Sequence, residues 1–168
     1  MHTLSLLHRR LILILICGFL VSSQVYGQGL RLPDLKVPRT PTGAGGGNVY
    51  TDASLGLIAE IANELGYPAE QASDTAVKIV LGDVNVFCFV KQGDIQLYAG
   101  FTDSSANLET VNEWNKNRRF SRSYLDNDGD PIIEADLDFD GGVTREGVRK
   151  FIQLFELSLQ AFREEVVG

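Results

Sequence analysis

The chain has 168 residues, with 15 Lys or Arg against 22 Asp or Glu and a formal net charge of −7. An acidic balance of this size disfavours nucleic acid as a partner, because phosphate binding needs clustered positive charge. Only two histidines and two cysteines occur in the whole chain, which leaves little for imidazole or thiolate chemistry.

The N-terminus reads "MHTLSLLHRR" and then "LILILICGFLV", a basic end followed by an unbroken apolar run from Leu11 to Val21. This is the pattern of a secretory signal peptide. Eleven residues at about 1.5 Å each cover little more than half of a ~30 Å hydrocarbon core, so no stable membrane span is expected after signal cleavage. Val25 and Gly27 suit the minus-three and minus-one positions and place cleavage after Gly27. Ile16 is too bulky to precede a lipid-attachment cysteine at Cys17, and the run after Arg9-Arg10 is too apolar for a twin-arginine signal. Removal of residues 1–27 leaves 141 residues with a net charge of −9, no histidine, and Cys88 as the only cysteine. That excludes an intramolecular disulfide, the Ser-His-Asp and Cys-His arrangements, histidine-ligated metals and a thiolate zinc cage. The expected localisation is periplasmic or secreted.

Residues 28–49, "QGLRLPDLKVPRTPTGAGGGNV", hold three prolines and a glycine cluster without apolar periodicity, and are expected to form a flexible tether. Lacking a lysine and a helix after it, "GAGGGN" is no phosphate loop. The domain is expected over 50–168. It opens on a helix with Leu55, Ile58, Ile61, Ala62 and Leu65 at helical spacing, Thr51 or Asp52 as cap, and Gly66 and Pro68 as stops. "AVKIVL", "VNVFCFV" and "IQLYAGF" follow as three antiparallel strands separated by Gly82-Asp83 and Gln92-Gly93-Asp94, the middle one buried on both faces. Cys88 belongs to that strand and is expected to pack as a small hydrophobe. A second helix starts from Asp103 or Ser104 and carries Leu108, Val111 and Trp114 on one stripe.

"FSRSYL" and "PIIEADLDF" then flank a turn at Asp128-Gly129. Ile133, Ala135, Leu137 and Phe139 point one way and Glu134, Asp136, Asp138 and Asp140 the other, which predicts a half-buried strand with an acidic outer face. Thr144 caps a last helix with Val148, Phe151, Ile152, Phe155, Leu159 and Phe162 as its apolar stripe. The expected fold is α+β: a single antiparallel sheet with three helices, in the order helix, three strands, helix, two strands, helix.

Seven acidic side chains between Asp126 and Asp140 raise the question of calcium. Asp136, Asp138 and Asp140 occupy positions 1, 3 and 5 of an EF-hand loop with Gly141 at 6. Yet the entering segment has strand period and contains Pro131, and position 12, where a bidentate glutamate belongs, is Gly147. Pro131 also takes the glycine position of the alternative register that begins at Asp126. No metal or other cofactor is assigned, and a solvated strand face is the preferred reading; weak attraction of divalent ions stays open as an alternative function. Catalysis could draw only on carboxylate pairs of the glycosidase type, among acids too numerous for any two to stand out, so no catalytic residue is assigned. "WNKNRRFSRSY" interleaves aromatic and basic residues as a nucleic-acid surface does. Residues 50–168, however, carry ten basic and twenty-one acidic groups, so these arginines are expected to pair with the acidic strand instead.

The stretch "VNEWNKNRRFSRSYLDNDGDPIIEADLDFDGGVTREGVRKFIQLFELSLQAF" resembles the YbjN family of bacterial sensory-transduction regulators, over about Ser54 to Val166, and "IQLYAGF" resembles that family's third strand. The resemblance implies a fold similar to type III secretion chaperones and no catalytic residues to carry over. Together these readings predict an exported, non-enzymatic adaptor or chaperone-like domain that binds a protein partner or forms a homodimer, with Leu97, Trp114, Phe120 and Tyr124 as the partner-binding residues. The sheet, through a strand edge, or an apolar groove is the expected place of contact.

Overall fold

A computed structural model of the protein describes residues 48–168; the expected signal peptide and nearly all of the expected tether lie outside the described residues. Val49, assigned to the tether from its neighbours, is instead the first residue of strand β1 (Val49–Tyr50), which pairs antiparallel with β8 (Val143–Thr144). Helix α1 (Leu55–Glu64) follows. Its cap is Ser54, whose hydroxyl accepts from the Leu57 amide, rather than Thr51 or Asp52. The chain before Ser54 is held elsewhere, by the Ala53 amide donating to the Gly93 carbonyl at 2.6 Å. Leu57, Ile58, Ile61 and Ala62 are the buried face of α1.

Strands β2 (Ala69–Ser73), β3 (Ala76–Leu81), β4 (Val84–Lys91) and β5 (Asp94–Gly100) then run as an antiparallel meander. Helix α2 (Leu108–Asn117), strands β6 (Arg122–Leu125) and β7 (Pro131–Leu137), β8, and helix α3 (Arg145–Phe162) complete the order, with a π-helical turn at Arg163–Val167. The α+β class, the three helices and the antiparallel sheet are as expected. In place of a single sheet there is a six-stranded sheet, ordered β2-β3-β4-β5-β7-β6, and a two-stranded ribbon of β1 and β8. No helix among the described residues is long and apolar enough to cross a membrane.

One sheet face meets the helices. Val77, Ile79, Val86, Cys88, Ile95, Leu97, Ile133 and Ala135 join the α1 residues and the α3 stripe of Val148, Ile152, Phe155, Leu159 and Phe162 in one core. Trp114 of α2 closes its end, its ring edge-on to Phe162 at 5.1 Å between centroids. Each fully buried aliphatic or aromatic side chain contributes roughly 1.5–3 kcal/mol through removal of apolar surface from water. Leu108 is not on the buried stripe: it is the first residue after the Asn107 cap and is 75% exposed, so the apolar face of α2 starts at Val111. Asn107, rather than Asp103 or Ser104, caps this helix through a reciprocal box with Thr110.

Both edges of the sheet are capped by the same device, each at one residue. On β2, the Asn63 side chain of α1 accepts from the Ala69 amide at 3.2 Å and donates to the Ala69 carbonyl at 3.4 Å. On β6, the Asn115 side chain of α2 accepts from the Ser123 amide and donates to the Ser123 carbonyl, both at 2.8 Å. An asparagine amide thus stands where the peptide group of a further strand would lie, blunting edges that otherwise invite pairing. Ser123 is buried, so Asn115→Ala leaves a desolvated donor and acceptor without partners. A loss of about 1–3 kcal/mol is expected, measurable as a lower urea midpoint with unchanged slope.

Candidate functional site

The sheet face away from the helices is the most distinctive surface among the described residues. Strand alternation puts Lys78 and Val80 of β3, Asn85, Phe87 and Phe89 of β4, and Gln96 and Tyr98 of β5 on this side. The middle strand is therefore not buried on both faces: Val86 and Cys88 are wholly covered while Phe87 and Phe89 are half-buried opposite them. None of Phe87, Phe89, Tyr98, Tyr124 or Ile132 belongs to the core cluster or packs against it. Phe87 and Phe89 have ring centroids 6.3 Å apart, and Phe89 meets Tyr98 edge-on at 6.1 Å.

The register aligns one row across all six strands: Glu70, Lys78, Phe87, Tyr98, Glu134 and Arg122. At one end Lys78 pairs with Glu70, and at the other Arg122 pairs with Glu134 and reaches Asp136 at 3.7 Å. Glu134 is only 5% exposed and Ile132 2%, so the outer face of β7 is covered at these two positions, while Asp136, and Asp138 and Asp140 beyond the strand, are exposed as the alternation suggests. Arg122 and Tyr124 lie over it, with the Tyr124 hydroxyl 3.4 Å from the Glu134 carboxylate. Burial, and then the carboxylates of Asp126, Glu134 and Asp130, raise the pKa of the Tyr98 hydroxyl. Hydrogen bonding to Glu134 holds the Arg122 guanidinium in its charged form.

The four partner-binding residues expected from sequence separate here. Leu97 is fully buried on the helix face of β5, and β5 is interior to the sheet rather than an edge. Trp114 is 3% exposed and belongs to the core. Neither offers surface to a partner. Phe120 is 66% exposed with φ 68°, and Tyr124 is 40% exposed on the open face. Phe87, Phe89 and Tyr98 escaped the sequence reading. The alternation that marks Phe87 and Phe89 is present in "VNVFCFV", but apolar residues on both sides of the strand mask it.

The arginines after α2 have separate duties. Only Arg122 pairs with the acidic strand. Arg118 pairs with Glu165 of the C-terminal turn and stands 5.6 Å from the Trp114 ring, and Arg119 stands 5.1 Å from the Phe120 ring. The acidic turns are also engaged. Asp126 accepts from the Asp128 and Asp130 amides at 2.9 Å each, Asp138 from the Asp140 amide at 2.6 Å, and Asp94 from the Phe139 amide at 2.9 Å. Among the described residues no three His, Cys, Asp or Glu side chains converge as a metal site. A cavity of about 730 Å³ lies between the β3–β4 turn and the C-terminal turn, lined by Asp83, Asn85, Phe101, Gln160 and Arg163, with the Arg163–Asp83 ion pair across it.

Cys88 is fully buried, and burial pushes its thiol up to about 12 from an ordinary 9.0. Alkylation under native conditions is expected to proceed only as fast as the domain opens, and fast labelling would contradict this packing. Burial, and then the Glu156 carboxylate that accepts from the Tyr67 hydroxyl, push that hydroxyl up to about 12 from 10.0. In both cases the folded chain keeps a proton the unfolded chain gives up. The stabilisation is complete below about pH 9 and is lost as pH rises towards about 12. A melting temperature falling steadily through that range is the expected result; a flat profile would sink it.

Comparison with known proteins agrees with this architecture. Residues 54–167, more than half of the chain, match the YbjN family, described as "Putative bacterial sensory transduction regulator". The fold is similar to a solved structure reported as "Crystal structure of YbjN, a putative transcription regulator from E. coli". That similarity has a TM-score of 0.56 at 15% identity and covers 72% of this chain and 99% of the other. No curated protein matches the chain. With the family match spanning every element from the α1 cap to the C-terminal turn, the chain belongs to the YbjN family.

Proposed function

We propose that this protein is an exported, non-enzymatic adaptor or chaperone-like regulator that binds a protein partner through the open face of its six-stranded sheet. The observation that carries the reading is the half-buried row of Phe87, Phe89 and Tyr98, bordered by ion pairs and covered by no element among the described residues. A contiguous apolar centre with a charged rim is the anatomy of a recognition surface. Sheet edges serve this role less well, since Asn63 and Asn115 already occupy backbone groups of β2 and β6. The family's description as regulatory agrees with binding rather than turnover. Export, to the periplasm or beyond, is supported by the basic and apolar N-terminal sequence.

The test is crosslinking of the tagged protein in envelope extracts, comparing wild type with Tyr98→Ala and with Leu108→Ser on the remote α2 surface. Tyr98→Ala is expected to weaken capture by about tenfold, as truncation of a central aromatic anchor does, while Leu108→Ser leaves it unchanged. Equal capture by all three overturns the placement.

A further inference from the structure

We propose that the open sheet face is self-complementary and that its occupant is a second copy of this chain, related by a two-fold axis parallel to the strands and passing between β4 and β5. This rests on the reading of that face as a protein-binding surface and names the partner. The row across the sheet reads Glu70, Lys78, Phe87, Tyr98, Glu134, Arg122: negative, positive, aromatic, aromatic, negative, positive. A two-fold axis along the strands lays the row over its own reverse. Glu70 then faces Arg122, Phe87 faces Tyr98, and Lys78 comes over the strand whose Glu134 is already covered by Arg122 and Tyr124. The exposed end charges, Glu70 and Arg122, each meet their opposite in the other copy while keeping the opposite charge beside them in their own, Lys78 and Glu134.

The other face-to-face two-fold, perpendicular to the strands, lays each strand over itself. Glu70 would face Glu70, Lys78 would face Lys78 and Arg122 would face Arg122, a like-charge arrangement that disfavours this geometry. Twisted sheets packed face to face cross at about −30°, so the central Phe87–Tyr98 contacts keep their alignment best and the outer ion pairs stretch to meet. Six strands at ~4.8 Å spacing make a face ~24 Å wide. Over the ~20 Å of a six-residue strand, that is a patch at the smaller end of the range for specific interfaces, and it implies a dimer that dissociates on dilution.

The experiment is sedimentation of the purified protein over a wide concentration range. Wild type is expected to pass from monomer to dimer. Glu70→Arg and Arg122→Glu each place like charges across the two-fold and are expected to weaken self-association by about tenfold or more. Their equimolar mixture restores opposite charges at both ends and is expected to dimerise as wild type does. Phe87→Asp, at the centre, abolishes the dimer and keeps the test independent of the hold Arg122 has on Glu134; circular dichroism confirms that each variant is folded. A wild type that stays monomeric, or a mixture that does not recover, overturns the proposal. Monomeric wild type whose capture of another chain is lost in Phe87→Asp leaves the face as a binding surface for that chain. A dimer indifferent to every variant overturns this use of the face altogether.

Discussion

Leu97→Pro is expected to abolish cooperative folding. Leu97 lies in β5, which is paired on both sides, with Cys88 of β4 and with Ala135 of β7 as its register partners. Proline removes an amide donor from the ladder, and its ring has no room between two strands, a cost of about 3 kcal/mol or more. The leucine side chain is wholly buried, and shortening it forfeits a further ~2–5 kcal/mol because the cavity left behind collapses only in part. Together these approach the whole stability of a domain this size, about 5–15 kcal/mol. The single tryptophan gives a direct readout, since Trp114 is buried in the native state. The variant should show the red-shifted emission of solvent-exposed indole and no sigmoidal thermal transition. A folded Leu97→Pro with a wild-type melting temperature would mean that β5 is not an interior strand.

The placement of β5 shows where sequence was sufficient and where it was not. Alternation in "IQLYAGF" and in "PIIEADLDF" identifies two strands and their inward residues, because period two survives whatever lies beside the strand. It does not say that β7 inserts next to β5 and pushes β6 to the edge, which is a matter of long-range pairing. β2, with "AEQAS", has almost no apolar residues to alternate; it is an exposed edge strand held by its ladder to β3 and by Asn63. β1 and β8 are too short to show any period. For the candidate site the same limit applies. Tyr124 was legible as an aromatic beside charge, whereas Phe87 and Phe89 became surface residues only because no helix among those described covers their side of the sheet. The basic run after α2 was legible as a group that pairs internally, but Arg118 reaches Glu165, forty-seven positions on, a partner that no local pattern reveals.

Trp114 and Phe120 are six positions apart in one aromatic and basic run, yet opposite outcomes are expected from changing them. Trp114 is 3% exposed, packs edge-on against Phe162 and has the Arg118 guanidinium over its ring. Trp114→Ala removes that contact and opens a void between α2 and α3, at an expected cost of about 3–5 kcal/mol. Its indole Nε1 has no hydrogen-bond partner, so Trp114→Phe, which keeps one aromatic ring against Phe162, leaves a smaller void and deletes the orphaned donor, should cost less, about 1–2 kcal/mol. Phe120 is 66% exposed and adopts φ 68°, a region that a bulky residue enters only at a cost. Phe120→Gly relieves that conformation at the expense of the exposed contact with Arg119, with an expected gain of up to about 1 kcal/mol. Chemical denaturation followed by circular dichroism orders the three variants: Trp114→Ala lowest, Trp114→Phe slightly below wild type, and Phe120→Gly at or above it. A Phe120→Gly variant as unstable as Trp114→Ala would show that the Phe120 ring is packed rather than displayed, and would remove it from any account of the surface.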